Sequence, residues 1–84
     1  MKFEISIKLN NGEIKRFITK EYDSYNPEQK YINGLHQIGF IKDGKTRKTW
    51  IPYMHGKRYS HNVMSITVED VNTGRVLDEI KCIQ

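Results

Sequence analysis

His55 and His61 bracket Lys57, Arg58 and Tyr59, and Lys42, Lys45, Arg47, Lys48, Trp50 and Tyr53 precede them at short intervals. These residue types can do three kinds of chemistry. Imidazole can move a proton, ammonium and guanidinium groups can neutralise phosphate, and aromatic rings can stack on bases. Spacing decides between them.

Catalysis is poorly provided for. His55 and His61 stand six apart across a glycine, which is no common zinc spacing, and the single cysteine, Cys82, falls in a separate segment. No metal site is expected. A metal-independent nuclease centre built from either histidine with Lys57, Arg58 and Tyr59 would lack a second positioned titrating group. Glu69-Asp70 and Asp78-Glu79 are sequence neighbours, so in a strand each pair points to opposite faces and cannot act as acid and base together. There is no glycine-flanked serine elbow and no phosphate-cradling glycine motif. The reading is therefore a non-catalytic protein with no cofactor.

Binding is better provided for. Across 84 residues, 14 basic and 10 acidic side chains leave a net charge of +4. Residues 42–61 hold six bases and one acid, so this segment carries +5 and the rest of the chain −1. The excess is local, and a focused positive field attracts anionic polymers. A lone tryptophan beside Ile51 favours a core position, which removes Trp50 from the surface candidates. Lys42, Lys45, Arg47, Lys57, Arg58 and Tyr59 remain as the expected contacts to single-stranded or double-stranded nucleic acid.

A second expectation is a protein-binding accessory or inhibitor that occludes a partner's surface. Exposed Tyr, Trp, Met and Arg commonly anchor interfaces, and the basic charge would speed docking onto an acidic protein surface. Tyr53 and Met54 in the basic segment, with Tyr22 and Tyr25 beside Glu21 and Asp23, are its candidate interface residues. The Lys-, Ile-, Asn- and Tyr-rich vocabulary fits a small bacterial or phage accessory protein. A third expectation is homodimer formation, through the final strand or the edge at Pro52.

The elements that must position these residues follow from periodicity. Eighty-four residues make one domain, 1–84, with one small core. Phe3, Ile5, Ile7 and Leu9 alternate with polar residues as in a half-buried strand. Asn11-Gly12 predicts a two-residue type I′ hairpin that sets Leu9 opposite Ile14 and Ile5 opposite Ile18, leaving Phe17 outside unless a bulge swaps the faces. Asn26-Pro27-Glu28-Gln29 reads as a helix start and Asn33-Gly34 as its stop, giving about two turns. Asp43-Gly44 predicts a second hairpin, Pro52 an edge or a bulge, residues 54–62 a loop, and Asn72-Thr73-Gly74 a third hairpin with a three-residue turn.

The expected fold is mainly β: an antiparallel sheet or partly closed barrel of about six strands, with one short helix between strands 2 and 3. A β-grasp-like α+β arrangement is the alternative. No apolar run is long enough to span a bilayer, and the N-terminal segment alternates where a signal peptide would be continuously apolar. Together with the single cysteine, this predicts a cytoplasmic protein with no membrane partner.

Overall fold

The computed structural model describes the backbone of residues 1–32, 35–51, 53–54, 57–58 and 63–81, and the side chains of residues 1–26, 38–47 and 63–81. The protein is mainly β. In chain order its strands are β1 (Phe3–Leu9), β2 (Ile14–Ile18), β3 (Ser24–Ile32), β4 (Leu35–Lys42), β5 (Lys45–Ile51), β6 (Tyr53–Met54), β7 (Lys57–Arg58), β8 (Val63–Asp70) and β9 (Val76–Lys81). All pairings are antiparallel. They form a four-stranded sheet, β2-β1-β8-β9, a three-stranded sheet, β3-β4-β5, and the small ribbon β6-β7; among the described residues no sheet closes into a barrel. No described helix is long and apolar enough to cross a membrane.

The chain forms two compact units, Met1–Glu21 with Asn62–Gln84, and Tyr22–His61. In the first, the alternation of β1 buries Phe3, Ile5, Ile7 and Leu9 together with Val63, Ile66 and Val68 of β8 and Ile80 of β9. Two bulges keep these side chains in phase. Leu9 pairs with Val63 but Lys8 with Ser65, so Met64 is the extra residue, and Val63 and Ile66, three apart, reach the same buried face. In β9 the register skips Leu77 in the same way, since Glu69 pairs with Val76 and Val68 with Asp78.

The first hairpin corrects its expected register by one residue. Ile5 pairs with Phe17 and Lys8 with Ile14. The reason lies in the turn: the Gly12 N–H donates to the Leu9 carbonyl at 3.1 Å and the Leu9 N–H to the Glu13 carbonyl at 2.8 Å, so three residues, not two, span it. Gly12 alone takes a positive φ, of 90°, whereas a type I′ turn needs one at Asn11 as well. The extra residue swaps the faces of β2. Phe17 becomes partly buried, while Ile14 and Ile18 are 45% and 58% exposed.

The third hairpin also turns through one more residue than expected. Asp70 N–H donates to the Arg75 carbonyl and Gly74 N–H to the Asp70 carbonyl, enclosing Val71 to Gly74, with Gly74 at a φ of 71°. The buried Asp70 carboxylate accepts from the Asn72 N–H at 2.9 Å and fixes the turn.

The second unit corrects the expected helix. Residues 24–32 are strand β3, and among the described residues there is no helix, which removes the β-grasp alternative as well. Asn26 pairs with Gly39 and Gln29 with Ile38, so Pro27 and Glu28 occupy a bulge. A bulge accommodates proline because it asks for no ladder donor, and the flanking Tyr25, Tyr31 and Ile32 are strand formers. A helix of about two turns is too short to outweigh the pairing of β3 with Leu35–Ile41 of β4. Residues 33 and 34, read as the helix stop, lie outside the described residues, as does Pro52. The segment expected as a loop, 54–62, contains β7 and the end of β6, and these two strands together with β3 bring the described strands to nine instead of about six.

Candidate nucleic-acid interface

The β4-β5 hairpin carries the first cluster of expected contacts. Asp43 and Gly44 take φ values of 53° and 75°, the two consecutive left-handed residues of a type I′ turn. That turn fixes the register. Lys42 pairs with Lys45, Ile41 with Thr46 and Phe40 with Arg47, so Lys42, Lys45 and Arg47 stand on one face of the hairpin, beside Phe40. All three cations are exposed. None forms an ion pair among the described residues.

Phe40 is fully buried and holds this face in place. The Tyr22 ring stacks on it, with centroids 4.8 Å apart and 13° between planes, and the Tyr25 ring packs against it at 5.6 Å and 55°. Tyr25 is also the register partner of Phe40. Tyr22 and Tyr25, named above as interface candidates, are thus half-buried parts of the packing behind the hairpin tip. On the opposite face Gly39 leaves room for its neighbours. A Cβ there would lie 3.0 Å from the Thr46 methyl and 3.4 Å from Asn26 Cβ, and the Asn26 amide donates to the Thr46 hydroxyl at 3.3 Å.

Asp23 was not foreseen. Its carboxylate accepts the Asp43 N–H at 2.8 Å, and its own N–H donates to the Ile41 carbonyl at 2.8 Å, so it secures the turn from the start of β3. No local sequence signal announces a contact across 20 residues. Electrostatically it matters, because Asp23 and Asp43 sit beside Lys42, Lys45 and Arg47 and leave the tip with only a small net positive charge.

The second cluster lies in the β6-β7 ribbon. Its register pairs Tyr53 with Arg58 and Met54 with Lys57, which joins two expected nucleic-acid contacts to two expected protein-interface residues in one element. Tyr59, His55, His61 and Cys82 lie outside the described residues, as does the side chain of Trp50. Among the described residues no three His, Cys, Asp or Glu side chains converge as metal ligands. Comparison of the chain with protein families, with curated proteins and with solved structures finds no match.

Proposed function

We propose that the protein is a non-catalytic binding module that contacts nucleic acid through Lys42, Lys45 and Arg47 of the β4-β5 tip, with Lys57, Arg58 and Tyr59 extending the surface. One observation carries this reading: Lys42 and Lys45 are exposed register partners without ion pairs among the described residues. Like charges directly opposite each other weaken a ladder, and an anion between them converts that repulsion into attraction. Arg47, on the same face, adds a planar fork suited to a phosphate. Recognition is of backbone charge, since phosphate contacts position a protein without reading sequence.

The test is a titration of labelled single-stranded and double-stranded oligonucleotides between about 50 and 200 mM salt. If Lys42, Lys45, Arg47, Lys57 and Arg58 each neutralise one phosphate, the logarithmic slope is about −4.5 on duplex and about −3.5 on single strands. Changing Lys42 and Lys45 to alanine reduces the duplex slope by about 2. Absence of binding at the lower salt, or a slope near zero, removes the proposal.

A second reading draws on the β6-β7 ribbon, whose register pairs Arg58 with Tyr53 and Lys57 with Met54. Such a pairing suits an acidic protein surface with apolar pockets, as in an accessory protein that occludes a partner. Under this reading oligonucleotides fail to bind, and Tyr53→Ala or Met54→Ala weakens capture of an acidic protein partner.

A further inference from the structure

We infer that the β2-β1-β8-β9 sheet extends from one molecule to the next, with the β2 edge of one copy pairing antiparallel to the β9 edge of another. The proposal is independent of the nucleic-acid reading and uses only residues of the first unit. The two edges differ in charge. β2 presents Lys15 and Arg16, net +2, while β9 presents Asp78 and Glu79 with Lys81, net −1. Both also present apolar groups to solvent: Ile14 and Ile18 on β2, and Val76 and Leu77, 50% and 38% exposed, on β9.

Backbone geometry selects the register. The Leu9–Glu13 and Phe3–Thr19 hydrogen bonds show that alternate residues of β2 turn their N–H and C=O groups toward β1. Ile14, Arg16 and Ile18 therefore turn theirs outward. The same alternation, carried from the Val71–Lys2 hydrogen bond through β8 to β9, turns Glu79 and Lys81 outward, up to the bulge at Leu77. Joining these two sets with Arg16 opposite Glu79 sets Ile14 against the aliphatic stem of Lys81 and brings Ile18 to the bulge at Leu77. Each pair shares one face, and the outward backbone groups of Arg16 and Ile14 meet those of Glu79 and Lys81. Strand directions agree, because in the order β2-β1-β8-β9 the two edges run antiparallel to each other.

Charge disfavours the centred symmetric alternatives. Two β2 edges joined through the same outward positions about their centre would set Arg16 against Arg16, and two β9 edges would set Glu79 against Glu79. Arg16 has a weak existing partner, Glu4 at 3.7 Å, with its own side chain 60% exposed; Glu79 has no ion pair among the described residues. A groove of about 400 Å³ lined by Glu4, Arg16, Phe17 and Ile18 lies along the β2 edge and gives an incoming side chain a place to seat. A head-to-tail contact of this kind is heterologous, so it builds rings or open chains of subunits instead of a two-fold dimer.

Sedimentation of the full chain without nucleic acid, from about 1 µM to about 1 mM, tests this over the range where a short ladder is populated. The wild type is expected to associate as concentration rises. Arg16→Glu and Glu79→Arg should each weaken association by at least about tenfold, because each sets like charges against one another. An equimolar mixture of the two variants should associate again, since every edge then meets its opposite, and a variant that had merely lost its fold could not be rescued in this way. A wild type that stays monomeric throughout, variants that associate as the wild type does, or a mixture that stays monomeric would each overturn the proposal.

Discussion

The Tyr22 ring lies nearly parallel to that of Phe40, with centroids 4.8 Å apart, so a residue ahead of β3 covers the buried ring at the centre of the β3-β4-β5 sheet. A stacked pair contributes about 0.5–1.5 kcal/mol beyond the area it buries. Tyr22→Ala is therefore expected to lower stability by about 1–3 kcal/mol, seen as a lower urea midpoint at unchanged slope. An unchanged midpoint would show that the stack contributes nothing to the unit.

Close approach at Gly39 gives a second prediction. Gly39→Ala forces its new Cβ to within 3.0 Å of the Thr46 methyl, a contact that costs about 1 kcal/mol or more before relaxation. Thr46→Ser removes that methyl while keeping the hydroxyl that accepts from Asn26. In a double-mutant cycle the pair should couple by at least about 0.5 kcal/mol, with the serine partly rescuing the alanine. Simple additivity would place the strain elsewhere.

These two contacts mark the limits of what the sequence discloses. The type I′ turn at Asp43-Gly44 was legible because both residues must adopt a positive φ, and the turn then dictates that Lys42 faces Lys45. Asn11-Gly12 was ambiguous. The dipeptide serves a two-residue turn and a three-residue turn with a left-handed glycine equally well, and one residue of difference moves Phe17 inward and Ile18 outward. Asn26-Pro27 misled for another reason: capping chemistry is local, whereas β3 is fixed by pairing with β4. Asp23 had no signal, since its partner at the turn is 20 residues away. The cations of the tip were legible; the carboxylate that moderates them was not.

Acid should act on the first hairpin at Glu13. Its carboxyl is held below the ordinary value of 4.5, chiefly by the hydrogen bond and charge of Lys15 and then by the Asn11 amide. Lys15 Nζ lies 3.0 Å from Glu13 Oε2 and Asn11 Nδ2 3.2 Å from Oε1. Because the folded-state value is depressed, the contribution is present above 4.5 and is lost as pH falls through the lowered value. An NMR titration should find Glu13 titrating below 4.5 in the wild type and closer to it in Lys15→Met. Identical midpoints would exclude Lys15 as the cause.

Lys42 and Lys45 yield the prediction that links fold to proposed function. Their register pairing places two ammonium groups, without ion pairs among the described residues, on the β4-β5 tip, with the Asp23 carboxylate engaged by the Asp43 N–H at the turn. Relieving that repulsion should stabilise the fold, and threonine also suits a strand position better than lysine. Lys45→Thr is thus expected to raise stability by about 0.2–1 kcal/mol. The same change removes a phosphate contact, so nucleic-acid affinity should fall and the duplex salt slope should shrink by about 0.9. Stability and affinity then move in opposite directions, the pattern of a site held at the expense of the fold. Paired urea titrations and oligonucleotide binding curves on one preparation measure both. If Lys45→Thr destabilises the hairpin, the two lysines do not repel across it, and the observation on which the nucleic-acid reading rests loses its force.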